Sequence, residues 1–430
     1  MNNVSWLDLS ACDGFRRLVD SLSDDLGDRR NVLLLLPAPV PDDSILDALG
    51  VRLDERSFLV QRIYLSDDET IGPGQLLIDE LGVPWPDAAE PCSASNVIRG
   101  LLRQSDVDAW PDVIVVQGLA AQTCGTRDRW IWFGREWAGL SQGVRVVSRG
   151  LPRICLVARA NDMASPLLGE TVGLSIRYWW GFPSVLEHSL LIRNSSDGLS
   201  FGALERWREK VIPAIAGQDI DLAEHLWREP DIDMRVLLSF LREVAASRGW
   251  TRSRLTAWNA LDLAHRPSSR SRSPAPDERV RELWAQGALS NTLEHGIELS
   301  AVAQAVLGKE ADIAHRLWRG QAGLLLPMLD TVRLQICGEL DRRYGTKWAL
   351  DWVYPETNRE VEELRTSHFS CEWGHLESVL ACGESQALWS RRRIVSLARH
   401  LRNELAHYKP CALKDYAEFV TEANRLGLQC

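Results

Sequence analysis

Five continuous apolar runs bounded by turn-forming residues recur in the first half of the chain. They are Val32–Leu36, Phe58–Ile63, Val113–Val116, Ile154–Val157 and Leu174–Trp179. Runs that are apolar at successive positions are typical of strands buried on both faces of a parallel sheet. The segments between them read as helices, namely Ser44–Leu49, Gly74–Leu81 and Ser95–Gln104. The pattern predicts an α/β domain with a mostly parallel sheet over residues 1–195.

The pattern changes to helical periodicity after the last of these runs. Residues 196–265 show apolar positions three and four apart without a strand-like run, which predicts a helical appendage. We interpret residues 266–278 as a linker, because their Pro-, Ser- and Arg-rich composition cannot bury an apolar face. Residues 279–430 are predicted to be helical. The expected helices are Val280–Trp284, Ile297–Leu307, Ile313–Trp318, Leu324–Tyr344, Trp373–Leu380, Ile394–His407 and Leu413–Leu426.

Composition narrows the class of protein. The longest apolar run, Val32–Ala38, is too short to cross a bilayer, and the first 20 residues lack the apolar stretch of a signal peptide. We therefore expect a cytoplasmic protein without a membrane partner. Its nine cysteines form no C-x-x-C pair, which favours reduced thiols. The net charge of −10 argues against a protein that coats nucleic acid, although it permits a local basic site.

The turn after the first apolar run occupies the place of a phosphate-binding loop. In P-loop NTPases this loop holds phosphates and magnesium through glycine-rich backbone, a lysine and a hydroxyl. Here the turn from Pro37 to Ser44 has three prolines, two aspartates, no glycine and no lysine. The chain has no lysine before Lys210, and the third run ends in Gln117-Gly118, where a Walker-B strand would present an acid. We expect neither ATP hydrolysis nor a bound cofactor.

This order of strands followed by a helical appendage resembles the inactive STAND-type NTPase modules of bacterial conflict systems. The resemblance covers roughly residues 10–260 and concerns layout, because the motifs of a degenerate P-loop NTPase are missing. It implies a domain that senses or docks a protein partner without hydrolysing nucleotide. The alternative is an unrelated α/β domain used for binding.

The segment from Ser390 to Tyr408 carries the candidate chemistry. Ser390 is a plausible N-cap, and Lys409-Pro410 is expected to end the helix. At 100° per residue, one face of the helix is apolar and faces the core. The apolar stripe comprises Ile394, Leu397, Ala398, Leu401 and Leu405, and the opposite face carries Arg392, Arg399, Asn403 and His407, with Arg402 on its flank.

Arginines and a histidine at one helix end suit RNA cleavage without a metal. A guanidinium can clamp a phosphate and stabilise its growing negative charge. An imidazole can move the proton of an attacking 2′-hydroxyl or of the leaving oxygen. The expected product is a 2′,3′-cyclic phosphate or its hydrolysis product. No metal ion or covalent enzyme intermediate is required.

The string from Arg402 to His407 also resembles the R-x4-6-H motif of the HEPN superfamily, including the Asn after the Arg and the place in the penultimate helix. The resemblance covers about residues 320–426. It implies that Arg402, Asn403 and His407 form a composite catalytic site in a homodimer of the C-terminal bundle. Members that pair with a nucleotidyltransferase antitoxin carry a tyrosine two residues after the His, whereas Lys409 stands there in this chain and Tyr408 precedes it. The chain thus resembles fusions of an inactive STAND-type module with a HEPN domain. This resemblance implies a role in antiviral defence, abortive infection or toxin-type growth arrest.

Local charge is consistent with an RNA substrate. Between Arg391 and Lys409 there are six basic residues and one acidic residue, in a chain with a net charge of −10. We expect an electropositive patch in which Arg392, Arg399 and Lys409 bind RNA.

Other patterns have more ordinary interpretations. Cys371, His375 and Cys382 do not have the spacing of a common zinc finger, so we predict no metal site. The aromatic clusters Trp130–Phe133 and Tyr178–Phe182 are expected to pack in the core or to dock a partner. Glu339 and Asp341 are interpreted as solvated helix residues. The alternative function is a non-catalytic scaffold or sensor subunit of a multi-protein complex.

Overall fold

A computed structural model describes most of the 430 residues. The described residues are 9–38, 40, 43–66, 71–83, 92–104, 110–142, 150–161, 171–194, 202–229, 232–265, 274–292, 294–353 and 357–430. The chain divides into two compact units that interleave along the sequence. Unit 1 comprises Met1–Leu191, Gly217–Asp221 and Thr251–Ala303, and unit 2 comprises Ile192–Ala216, Leu222–Trp250 and Gln304–Cys430. The segment 196–265 contributes residues to both units.

Unit 1 contains a five-stranded parallel sheet in the order β2-β3-β4-β1-β5. The strands are β1 (Asn31–Leu36), β2 (Val60–Tyr64), β3 (Val113–Gln117), β4 (Arg153–Arg159) and β5 (Leu174–Tyr178). Each overlaps one of the five predicted runs, so the predicted α/β class is confirmed. All six residues of β1 are buried, and it pairs with β4 on one side and with β5 on the other. The carboxyl ends of β1 and β4 therefore lie side by side.

Helices flank the strands of this unit along the chain. They are α1 (Asp13–Gly27), α2 (Asp43–Glu55), α3 (Pro73–Leu81), α4 (Ala94–Leu102), α5 (Cys124–Ser141), α6 (Val185–Asn194, shared with unit 2), α10 (Arg252–Ala257), α11 (Ala260–Ala264), α12 (Glu278–Ala285) and α13 (Ala301–Val306, shared with unit 2). Trp130 and Trp137 of α5 and Trp179 after β5 are almost fully buried, which supports a packing role for the aromatic clusters. Trp132, on the same helix, is 56% exposed.

A small antiparallel hairpin lies where the sequence suggested helix. Strands β6 (Leu289–Thr292) and β7 (Gly296–Leu299) pair with each other, so the helix expected to begin at Ile297 begins at Ala301. The prediction failed because each strand has only four residues and β6 buries the polar residues Ser290, Asn291 and Thr292. Gln218 compensates part of that burial by exchanging hydrogen bonds with the backbone of Asn291.

Among the described residues of unit 2, the regular secondary structure consists of helices. Its helices are α7 (Ala203–Ala216), α8 (Ile220–Arg228, shared with unit 1), α9 (Met234–Ser247), α14 (Glu310–Tyr344), α15 (Trp348–Trp352), α16 (Asn358–Thr366), α17 (Trp373–Ala381), α18 (Arg392–Ala406) and α19 (Leu413–Arg425). The predicted helical C-terminal region is thus confirmed. No helix among the described residues is long and apolar enough to cross a membrane.

The 35-residue helix α14 organises unit 2. Sequence patterning predicted two helices here, but the residues between them continue the buried face, and Pro327 is accommodated inside the helix. Helix α7 approaches α14 at Gly320, where a Cβ would lie 2.7 Å from the backbone oxygen of Lys210. Trp207 of α7 stacks on Tyr416 of α19, whose hydroxyl donates to a backbone carbonyl of α7.

Candidate functional site

The turn after β1 in unit 1 is occupied by side-chain and backbone groups of the protein itself. The Arg159 guanidinium, at the end of the neighbouring strand β4, donates hydrogen bonds to the carbonyls of Pro37 and Ala38. The N–H of Ala38 donates to the carbonyl of Ala285 at 2.9 Å. The part of this turn at positions 39, 41 and 42 lies outside the described residues. In the described part of the turn, carbonyl oxygens accept hydrogen bonds from the cationic side chain of Arg159. A phosphate-binding loop does the opposite, because it presents backbone N–H groups to an anion.

The neighbouring strand ends are also filled by internal contacts. Gln117 ends β3 and is buried, where a metal-ordering acid would stand in a hydrolytic enzyme. Arg127 of α5, only 5% exposed, donates to the Arg159 carbonyl and to the Asn161 side chain. These contacts support the prediction that unit 1 does not hydrolyse ATP.

Helix α18 in unit 2 carries the predicted catalytic residues and differs in detail from its prediction. A 3₁₀ segment, Gly383–Arg391, precedes it, so Arg391 and not Ser390 is the N-cap. The buried face of α18 comprises Ile394, Val395, Ala398, Leu401 and Leu405, whereas Leu397, predicted to be in the stripe, is only partly buried. The stripe is therefore rotated slightly toward Val395.

The three predicted catalytic residues lie at the C-terminal end of α18. The Arg402 side chain is 40% exposed and pairs with Glu372 at 2.9 Å. Asn403 is partly buried, and its carbonyl accepts from the N–H of His407 at 3.1 Å. His407 is the exposed C-cap residue. Five residue steps separate Arg402 from His407, which corresponds to a rise of about 7.5 Å along a helix axis.

Glu372 forms the ion pair with Arg402 and was missed by sequence reasoning. It is the N-cap of α17, where its carboxylate accepts from the N–H of His375. Together with Arg402 it lines an open groove of about 330 Å³. Arg333 of α14 also lines the groove, but its guanidinium is used by Asp330 and by carbonyls of the chain before α17. Arg402 therefore differs from Arg333: its guanidinium pairs with one exposed carboxylate, that of Glu372, which also lines the groove.

The predicted electropositive patch is largely neutralised by carboxylates from other helices. Four of the six basic residues between positions 391 and 409 form ion pairs: Arg391 with Glu339, Arg393 with Glu418, Arg399 with Glu377 and Arg402 with Glu372. The excess of positive charge seen in the sequence is thus a local property of the chain and does not persist on the surface. Glu339 is one of these partners, and Asp341 accepts from Trp348 and contacts His368.

The other two basic residues have different surroundings. Arg392 donates to the carbonyl of Leu380, and its guanidinium lies 4.3 Å from the ring centroid of Trp389. Lys409 is exposed, and its N–H donates to the carbonyl of Glu404. Among the described residues, neither has a carboxylate within ion-pair distance. Of the predicted RNA-binding residues, Arg392 and Lys409 retain an unneutralised charge and Arg399 does not.

The cysteine and histidine residues near α17 are engaged separately. Cys371 is buried, and burial raises its pKa to about 12. Cys382 donates to the carbonyl of Ser378, and His375 accepts from the N–H of Glu372. Within the described ranges, no group of three or more His, Cys, Asp or Glu side chains is arranged to hold a metal ion.

An exposed aromatic cluster lies beside His407 and was also missed by sequence reasoning. Its rings come from α14 and from the turn after α18, which are far apart in sequence. Trp318 of α14 lies 5.1 Å from His315 and 4.9 Å from Tyr408, measured between ring centroids. The Trp318 indole N–H donates to the carbonyl of Leu405 at 2.8 Å, which ties the cluster to the end of α18. Tyr408 has a φ of 57° and is 66% exposed.

Comparison with known proteins gives only distant similarities. No family model matches the sequence, and no curated protein matches it. Among solved structures, the chain is similar to ORC2 of Aeropyrum pernix, with a TM-score of 0.31 at 10% identity over 70% of this chain and 92% of that one. It is similar to Cdc6p of Pyrobaculum aerophilum, with a TM-score of 0.32 at 11% identity over 72% and 94%, and to RuvB of Thermotoga maritima, with 0.27 at 12% over 69% and 92%. At such TM-scores, the function has to be argued from the residues of this chain.

Proposed function

We propose that this protein is a metal-independent endoribonuclease whose site lies at the C-terminal end of α18. The observation that carries the proposal is the placement of Arg402 and His407. Both are accessible to solvent at one end of one helix, while the opposite face of that helix is buried. The six-residue string from Arg402 to His407 adds the resemblance to the HEPN superfamily.

The proposed reaction is an internal transesterification of RNA. His407 accepts the proton of a 2′-hydroxyl, whose oxygen attacks the adjacent phosphorus while the bond from phosphorus to the 5′-oxygen breaks. Arg402 stabilises the negative charge that develops on the phosphoryl oxygens, and Asn403 orients the group by hydrogen bonding. The leaving 5′-oxygen takes a proton from an imidazolium. The products are a 2′,3′-cyclic phosphate and a 5′-hydroxyl.

Two protomers would supply the two imidazoles that this reaction uses. One histidine acts as the base while a second acts as the acid, and a homodimer through the C-terminal bundle brings His407 and the partner subunit's His407 to one ribose–phosphate. The exposure of the end of α18 leaves it accessible to a second copy. Arg392 and Lys409, whose charges are not neutralised by described carboxylates, bind flanking phosphates.

Unit 1 acts in this proposal as a sensor or docking module that does not hydrolyse nucleotide. Support comes from Arg159, which lies against the carbonyls of the turn where a phosphate would bind. A protein partner on unit 1 would restrain or release the nuclease. By resemblance to such fusions, the setting is bacterial antiviral defence or toxin-type growth arrest.

A second candidate function is a non-catalytic scaffold in a multi-protein complex. The observation that favours it is the pairing of Arg391 and three α18 arginines with glutamates. Such pairing is typical of a solvated structural helix and lowers the attraction for RNA.

Cleavage of total RNA by the full chain, in the presence of EDTA, tests the proposal. Matched controls exist on the same helix: His400 is an exposed histidine near Asp415, and Arg393 is an exposed arginine paired with a glutamate. We expect His407→Ala and Arg402→Ala to lose cleavage by 100-fold or more, on the order typical of removing a proton-transfer group or a charge stabiliser. His400→Ala and Arg393→Ala should retain it. Absence of cleavage by the unaltered protein, or equal cleavage by all five proteins, would assign the chain to the scaffold function.

A further inference from the structure

The aromatic cluster formed by His315, Trp318 and Tyr408 has the geometry of a stacking surface. The planes of His315 and Trp318 are 18° apart at a centroid distance of 5.1 Å, so the two rings are stacked. Tyr408 is tilted by 51° against Trp318 and by 40° against His315. We call these three residues the aromatic platform.

The aromatic platform is held at the surface and is not part of the core. Tyr408 is 66% exposed and His315 is exposed, while Trp318 is partly buried beneath them. Tyr408 adopts a φ of 57°, a region that non-glycine residues enter at a cost of about 1 kcal/mol or more. The exposed Tyr408 ring therefore stands at a backbone position where a glycine would be more stable.

The contacts of the aromatic platform connect it to the proposed catalytic residues. The carbonyl of Leu405 accepts from both the indole N–H of Trp318 and the N–H of Tyr408, at 2.8 and 3.1 Å. Tyr408 lies between His407 and Lys409 in the chain, and all three side chains are exposed. Flat aromatic surface and cationic or protonatable groups therefore adjoin at the end of α18.

We propose that the aromatic platform binds a base of single-stranded RNA by stacking, beside the phosphate that His407 and Lys409 face. The inference rests on the proposed function and names the substrate as unpaired RNA. Single-stranded nucleic acid is bound by aromatic rings that stack on bases and by cationic groups that contact phosphates. Charge complementarity favours this occupant over an apolar protein segment, because the flanking positions Lys409 and His407 would be poor neighbours for an apolar surface.

Stacking on the aromatic platform would give the protein a preference for unpaired RNA, which phosphate contacts alone do not provide. A base in a duplex is stacked on its neighbours and cannot present its face to a protein ring without unpairing. The protein therefore selects loops, bulges and ends, and its preference among bases is weak because every base has a π-face.

Binding of a non-cleavable oligonucleotide separates stacking from catalysis. The probe is a fluorescein-labelled 2′-O-methyl oligoadenylate of about eight nucleotides, compared with an abasic oligomer of the same length. Its blocked 2′-oxygen prevents transesterification, so fluorescence anisotropy with the full chain reports affinity alone. Tyr408→Ala should weaken binding of the oligoadenylate about 5- to 150-fold and leave binding of the abasic oligomer unchanged. Tyr408→Phe, which keeps the ring, should bind within about twofold of the unaltered protein.

A tyrosine outside the aromatic platform supplies the matched control. Tyr344, at the other end of α14, packs edge-on against Trp352 at 4.9 Å, and Tyr344→Ala should not change oligoadenylate affinity. Circular dichroism and thermal unfolding of each variant check that the fold is intact. Lys409→Gln should weaken both oligomers equally, because it removes a phosphate contact.

The outcomes distinguish failure of the aromatic platform from failure of the nuclease. If Tyr408→Ala binds oligoadenylate as tightly as the unaltered protein, the stacking inference is wrong, even if cleavage depends on His407. If stacking depends on Tyr408 but no His407-dependent cleavage occurs, the nuclease proposal fails and the aromatic platform stands as a nucleic-acid site. If neither oligomer binds at about 1 mM, the platform is not a site for RNA.

Discussion

Raising the salt concentration should weaken RNA binding by this protein only modestly. For single strands, the logarithm of the binding constant falls with the logarithm of the salt concentration at a slope of about −0.7 for each phosphate neutralised. Six basic residues lie between Arg391 and Lys409. Four of them, Arg402 included, are paired with glutamates that offset their positive charge, so only Arg392 and Lys409 are counted as releasing counterions in full.

The salt dependence expected for two phosphate contacts differs widely from that expected for six. Two phosphate contacts give a slope of about −1.4, or a loss of about sevenfold in affinity between 50 and 200 mM salt. Six contacts give a slope of about −4.2 and a loss of about 340-fold over the same range. Anisotropy titrations of the non-cleavable oligonucleotide at several salt concentrations measure the slope, and the stoichiometry of the complex shows whether one or two protomers are counted. A slope near −4 for each protomer would contradict this prediction, because it would mean that the four paired arginines release counterions as if their glutamates were absent.

Two variants provide an internal control for this measurement. Glu372→Gln leaves Arg402 without its carboxylate, and Glu377→Gln does the same for Arg399. Each change leaves one more arginine without a neutralising carboxylate. It should therefore steepen the dependence of the logarithm of the binding constant on the logarithm of the salt concentration by about 0.7. Stability should change by less than about 1 kcal/mol, since both ion pairs are exposed. Unchanged slopes in both variants would show that these arginines do not face the RNA.

Three further predictions concern the rest of the molecule. Burial lowers the pKa of His188 from 6.5 to about 4, so the unfolded chain binds the proton more readily than the folded one. Lowering the pH from 7 to 5 should therefore destabilise unit 1 by about 2 kcal/mol through this residue. Denaturant unfolding of the full chain at both pH values should show that the His188→Gln variant lacks this loss of stability of about 2 kcal/mol. Gly320→Ala would bring a Cβ within 2.7 Å of a backbone oxygen of α7 and should destabilise the protein by about 1–3 kcal/mol. Gly323→Ala, whose Cβ meets open space on the same helix, should stabilise the protein by up to about 1 kcal/mol. Thermal unfolding measures both variants, and equal shifts in their midpoint temperature would contradict the close approach of α7 and α14. Because Arg159 lies against the turn after β1 and the Ala38 N–H is already bonded, a phosphate-release assay should detect no ATP hydrolysis, and release by the purified protein above that of a mock preparation would contradict this.

The sheet was predictable from the sequence because each strand is apolar at successive positions. β1 is buried at all six residues, and a run of that kind is hard to place anywhere but in the middle of a parallel sheet. The hairpin of β6 and β7 was not predictable, since the backbone of its residue Asn291 is bonded by Gln218, which is 73 residues away in the chain. Short strands that depend on a distant partner carry no periodic signal of their own.

The candidate site was predictable only in part, for a related reason. The order of residues along α18 places Arg402 and His407 at one helix end without reference to the rest of the fold. The charge around them depends on carboxylates from other helices, such as Glu339, which lies 52 residues from its partner Arg391. The aromatic platform likewise joins Trp318 to Tyr408 across 90 positions, and neither residue is unusual in its own segment.

The chemical identity of the RNA ends produced by the protein tests the central proposal most directly. A defined single-stranded RNA is incubated with the full chain in EDTA, and the products are resolved by mass spectrometry. The account predicts fragments that end in a 2′,3′-cyclic phosphate or its hydrolysis product and begin with a 5′-hydroxyl, formed by the unaltered protein and by His400→Ala but not by His407→Ala. Fragments that begin with a 5′-phosphate, or intact RNA after prolonged incubation with the full chain, would contradict it.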